Sequence, residues 1–189
     1  MKAMPRVKAT ILRALFLVAL MIFVSSCKKN NPVESSLKNE AFAKNDKEEI
    51  EAFFFIATAN VSQTIISKSQ IAQQKSSDST IQEVSKRIEV HQNQLLQEVT
   101  KLANRKLIII TEINATHKRD LYDLIDANEM SFNQAYLNSM QQSLQEQINL
   151  FESISKETND QTILKLVLQY LPEQYQFLRE TEKIKKIII

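Results

Sequence analysis

The sequence predicts an all-α protein, a four-helix bundle with one short extra helix, and three observations carry that prediction. Glycine is absent from all 189 residues, although hairpin turns and other positive-φ positions favour it. Four long segments repeat apolar residues every three or four positions, the spacing that gathers them on one face of a helix. Polar clusters such as Ser76-Ser77-Asp78-Ser79 and Glu157-Thr158-Asn159-Asp160 separate these segments. Stacking the helices against one another buries all four faces at once.

The chain opens with a targeting segment. Lys2, Arg6, Lys8 and Arg13 make a basic start, an apolar run follows from Ala14 to Val24, and small serines precede Cys27. That run is shorter than the roughly 20 apolar residues a membrane-spanning helix needs. Val24-Ser25-Ser26-Cys27 resembles the lipobox of bacterial lipoproteins. The resemblance implies removal of residues 1–26 as a signal peptide and lipidation of Cys27, which would then hold the protein to a lipid bilayer. At about 0.8 kcal/mol per buried methylene, two acyl chains anchor a protein stably. Residues 27–45 are too polar to bury a face and read as a flexible tether reaching on the order of 25 Å. Lys28 and Lys29 stand where some surface-exported lipoproteins carry acids, which points to the periplasmic face.

The bundle is expected over residues 46–186. Asp46 with Glu49 three positions on makes a capping-box-like start, and Asp46, Glu48 and Glu49 suit the positive end of a helix dipole. Ile50, Phe54, Ala57, Val61, Ile65 and Ile71 or Ala72 form the first apolar face. Phe53-Phe54-Phe55 covers more than one face, so at least one ring lies off the core; packing under the extra helix is its expected place, a partner surface the alternative. Ser76 to Ser79 break the pattern and offer N-caps. Ile81, Val84, Ile88, His91, Leu95, Val99 and Leu102 make the second face. Leu107 to Ile113 read as packed irregular chain leading to a short helix over about 116–126.

Ser131 can cap the next long helix, whose face is Tyr136, Met140, Leu144, Ile148, Phe151 and Ile154. The last begins near Gln161 and shows a broader stripe, with Ile163, Leu164, Val167, Leu168, Tyr170, Leu171, Phe177 and Leu178. Pro172 within it predicts a bend around 168–172. The many glutamines, Gln92, Gln145 and Gln147 among them, read as solvated helix positions.

Several function classes are excluded. Without glycine there is no phosphate-binding loop and no dinucleotide fingerprint, so no nucleotide is expected as ligand. There are 24 Lys and Arg against 22 Asp and Glu, and four of the basic residues but no acid precede Cys27, leaving the remainder at −2. Nucleic acid, which is bound by a basic face, is no expected partner either. Cys27 is the one cysteine, so its acylation leaves no thiol for redox or nucleophilic chemistry. Serine-histidine chemistry lacks its strand-turn-helix setting.

In order and rough spacing, Ile71-Ala72-Gln73-Gln74-Lys75-Ser76, the His91 helix, Phe132-Asn133-Gln134-Ala135-Tyr136, Leu150-Phe151-Glu152 and Leu171-Pro172 resemble a ferritin-like family of bacterial predicted outer membrane proteins that carry a domain of unknown function. The resemblance covers about residues 50–183. It implies a ferritin-like bundle in the periplasm or on the outer membrane, with no established activity to transfer. Relatives carry Asp-His where this chain has Val90-His91, and histidines where it has Leu144 and Phe177.

No metal or other cofactor is therefore expected. His91 and Glu98 are the side chains along the stripes that could begin a metal site, with Gln145 or Gln147 as further donors, but a Glu-x-x-His pair is absent before both His91 and His117. His91 is expected to be a core histidine with one hydrogen-bond partner, and His117 a surface residue. Three roles stay open: a non-enzymatic envelope lipoprotein that binds an envelope protein partner or supports the envelope, a ferritin-like metal-binding or oxidase protein, and a carrier of small apolar molecules. The first is the expected one.

Overall fold

The computed structural model describes residues 32–188. The expected signal peptide, Cys27 and residues 28–31 lie outside the described residues. Among those described, the chain is helical with no strand: α1 (Pro32–Lys75), α2 (Ser79–Arg105), α3 (Ala115–Asp126), α4 (Glu129–Glu157) and α5 (Gln161–Ile188). The chain divides into two compact units, Met1–Ala43 and Lys44–Ile189. In the first, the described backbone is helical from Pro32 onward. The second holds the all-α bundle.

The start of α1 corrects an expectation. Residues 32–45 are helical rather than irregular. Proline is favoured in a first helical turn, Glu34 suits the N-terminal dipole, and the Lys, Glu and Ala that follow are good helix formers. Polarity had argued for a tether there, yet a polar sequence can still have high helix propensity. Asp46–Lys75 is long and apolar enough to cross a membrane by length and composition, with half of that window buried inside the protein as in a core helix.

Two apolar clusters fill the bundle. In one, Val61, Ile65, Ile88, Tyr136, Leu144 and Phe177 meet; in the other, Phe54, Phe55, Leu95, Val99, Phe151 and Tyr170. Reading these along each helix gives the topology. α1 and α5 run from the second cluster to the first, and α2 and α4 run the opposite way. Because α2 and α4 are parallel, the chain must return along the bundle between them, and α3 lies in that crossover.

Helix ends are set by side chains. The Asp78 carboxylate accepts from the Thr80 and Ile81 amides and caps α2, and Asp160 accepts from the Thr162 amide at 2.7 Å ahead of α5. Asn128, not Ser131, caps α4: the Ser131 amide donates to Asn128 Oδ1 at 2.9 Å. At the end of α2 the Ile108 amide donates to the Ala103 carbonyl at 2.9 Å and the Leu107 amide to Asn104 at 3.1 Å, a Schellman pattern that places Leu107 at φ 60°. Glycine ordinarily takes that position. Leu107 is 91% exposed, so Leu107→Gly removes strain without removing packing. A gain of about 1 kcal/mol is expected from the left-handed penalty, read as a higher urea midpoint.

One expectation on α5 changes: Leu168 is exposed, not part of the core stripe. The helix runs through Pro172 without a break. Pro172 is exposed too, so the Leu168 carbonyl deprived of its partner sits on the solvent side, where water can satisfy it.

Candidate functional site

Between the two apolar clusters lies a polar layer to which each long helix contributes one side chain. Gln92 Nε2 on α2 donates to Gln147 Oε1 on α4 at 2.7 Å and lies 3.1 Å from Gln174 Oε1 on α5. Gln147 Nε2 donates to Ser62 Oγ on α1 at 2.8 Å and lies 3.1 Å from Gln92 Oε1. All four residues are buried. Gln92 and Gln147 are thus core residues rather than solvated ones. Their sequence signal was position: each falls on the same helical face as its apolar neighbours, Ile88 and Leu95 for one, Leu144 and Phe151 for the other. Buried amides need partners; Gln92 and Gln147 use each other and Ser62, while Gln174 accepts from Gln92 but leaves its own Nε2 unpartnered.

His91 sits one residue from this layer, 6% exposed, edge-on to the rings of Tyr170 and Phe177 at 5.2 and 5.3 Å. Its Nε2 is 3.3 Å from Glu173 Oε2, but the pair is not aligned as a hydrogen bond, and neither ring nitrogen has a partner. The single hydrogen bond expected for a core histidine is missing. Desolvation holds the imidazole below its usual pKa, with Glu173 opposing the shift. As pH falls below 6.5 the unfolded chain takes up a proton that the folded ring resists, so stability falls through that window. His91→Leu should flatten this acid slope and leave stability at neutral pH unchanged or higher, measured by urea denaturation across pH.

Glu98 is not brought to His91. It accepts from Gln169 Nε2 at 3.4 Å and faces Tyr170, whose hydroxyl is pushed up to about 12 by burial first and by Glu98 second. Gln145 is exposed and bonded to Asn149. Among the described residues, no group of three His, Cys, Asp or Glu side chains could hold a metal ion.

His117 corrects another expectation, for it is buried, with Nε2 3.4 Å from Glu146 Oε2. The cause is α3 itself, which α1 holds down through three polar residues spaced along one face. Asn60 Oδ1 accepts from the Asn114 amide at 2.9 Å, ahead of α3. Lys75 Nζ donates to the Ala127 carbonyl at 3.0 Å, just beyond it. Between them Lys68 is 1% exposed; its Nζ donates to Ser143 Oγ at 2.9 Å and lies 3.9 Å from Asp120. Nothing in the apolar periodicity announced a buried lysine.

Desolvation lowers the Lys68 pKa from 10.5, with Asp120 and then Glu146 opposing. Between the lowered value and 10.5 the unfolded chain holds a proton that the folded amine has released, so stability rises with pH there. Lys68→Met should abolish that rise and be at least as stable as the parent at neutral pH, checked by urea midpoints at neutral and alkaline pH. Although Lys68 and Ser143 touch, Ser143 lies mid-helix, where the amides are bonded within α4 and leave no donors for an oxyanion.

An open groove of about 470 Å³ lies between α1 and α4. Ile50, Phe54, Leu150 and Ile154 form its floor, Phe53 its wall, and Asp46, Glu49 and Glu157 its rim. Phe53 is 64% exposed while Phe54 and Phe55 are buried. The off-stripe ring of the phenylalanine run is therefore on the surface and not under α3, which α1 holds at positions 60 to 75, beyond the phenylalanines. The run itself was the signal; the rim was not, because acids at helix ends read equally well as dipole partners.

Helix order, packing and this set of side chains define an all-α helical-bundle protein. The chain belongs to the family described as Domain of unknown function (DUF4142), whose profile matches residues 34–184. The match begins inside the part of α1 that precedes Asp46. No curated protein and no solved structure matches the chain.

Proposed function

We propose that this protein is a lipid-anchored bundle of the bacterial envelope, held through acylated Cys27 on the periplasmic face of the outer membrane, and that it acts by binding a protein segment rather than by catalysis. The observation that carries the binding role is the acid-rimmed groove with Phe53 exposed over an apolar floor. Apolar grooves of this kind accept the anchor residues of an amphipathic helix. The crossover between parallel α2 and α4 supports a ferritin-like bundle. At its centre, where such bundles place metal ligands, the oxygens of Gln92, Gln147 and Ser62 are engaged by neighbouring amides. That arrangement favours the binding role over metal chemistry.

Two measurements test this. Cys27→Ser should leave the precursor uncut or move the protein out of the membrane fraction; continued membrane retention of a processed, unlipidated chain would overturn the anchor. A helical lysine-leucine peptide should bind the full protein with Kd in the micromolar range and lose that binding with Phe53→Glu. Equal binding of a glutamate-leucine peptide, or indifference to Phe53→Glu, would overturn the groove.

A further inference from the structure

The groove also has a complement on the same molecule. Near the end of α5, Lys183, Lys186 and Ile187 are spaced three and four residues apart and so share a face. Lys183 and Lys186 are exposed, and beside them Ile187 is 74% exposed, followed by Ile188 at 37%. Glu182 falls on the adjoining face. The groove presents the inverse pattern, an apolar floor between Asp46, Glu49 and Glu157. Within one bundle these surfaces cannot meet: the groove adjoins the cluster of Phe54 and Phe151, whereas Ile184 packs in the other cluster.

Resting on the groove as the binding site, we infer that its occupant is the Lys183–Ile187 face of a second copy of this chain. Ile187 enters beside Phe53, and the two lysines meet the acidic rim. The contact is heterologous, groove to plug, so a dimer leaves one of each unused and assembly continues beyond it. The surface involved is far smaller than the roughly 1,600 Å² of a standard stable interface, which makes the contact weak in dilute solution. Confinement of anchored copies to one membrane raises their effective concentration and favours it.

Charge exchange tests this directly. Full-length mature protein, labelled with donor or acceptor dye, is placed on phosphatidylcholine vesicles and energy transfer is followed as surface density rises. Wild type should exceed the transfer of a random distribution. The pair Glu49→Lys with Glu157→Lys makes groove and plug both basic; Lys183→Glu with Lys186→Glu makes both acidic. Each variant alone should fall to the random level. Mixed one to one, they restore both complementary contacts, and transfer should return. Wild-type transfer at the random level, retention of transfer in either variant alone, or no recovery on mixing overturns the inference. If transfer is absent while the lysine-leucine peptide still binds at Phe53, the groove stands and the occupant is wrong. If the peptide fails as well, the groove itself fails.

Discussion

Gln147→Leu is expected to destabilise the fold by about 2–4 kcal/mol, because one substitution takes the donor from both Gln92 Oε1 and Ser62 Oγ and leaves Gln92 Nε2 only the Gln174 acceptor. The loss would be read as a lower urea midpoint at unchanged slope. The combined variant Ser62→Ala, Gln92→Leu, Gln147→Leu, Gln174→Leu should recover most of it, since a wholly apolar layer leaves nothing unpaired. Its side-chain NMR signals should then decide what the layer is for. Broad or doubled signals would mean that the amides hold the helices in one register; a single sharp set would mean that they do not. A quadruple variant less stable than Gln147→Leu would contradict the network itself.

Phe151→Ala is the second large effect. Phe151 is fully buried and its ring lies 5.6 Å from that of Phe54, so truncation should cost about 3–5 kcal/mol through lost burial and a residual cavity. Phe54 also floors the groove, and peptide binding should weaken together with stability. Phe53→Ala makes the contrast. At 64% exposure it should change stability by no more than about 0.5 kcal/mol while removing the groove wall. A loss of stability in Phe53→Ala comparable to that in Phe151→Ala would show that the ring is structural.

The two pairs of substitutions also mark what could be read without coordinates. Helix number, the polar breaks and most of the core came from period alone, because Ile88, Leu95, Leu144 and Phe151 must turn inward on any amphipathic helix. Period is blind to chemistry at the seam. It assigned Gln92 and Gln147 to water because glutamine is usually solvated, and only the facing side chains on other helices reverse that. Lys68 and His117 were missed for a related reason: their burial depends on α3 being folded back over α1 and α4, a contact between segments distant in sequence. The helical start at Pro32 was missed because polarity was taken as a sign of disorder, although polarity and helix propensity are independent properties. The groove was half legible, its ring visible in Phe53-Phe54-Phe55 and its acidic rim indistinguishable from helix-end charges.

The manner in which α3 is held has a consequence for chemical reactivity. A helix that buries only His117 and Leu124 of its own, and is tied at its ends by Asn60 and Lys75, has little apolar surface opposing its release, so its opening is a local event well below the free energy of global unfolding. Each opening uncovers Lys68, an amine that the closed helix keeps from solvent. Acylating reagents such as acetic anhydride would therefore modify Lys68 at a rate scaled by the open fraction of α3, whereas Lys183 and Lys186 react at once. The modified fraction of that one amine, followed by mass spectrometry, becomes a clock for the crossover helix, and Asn60→Ala should make it run faster.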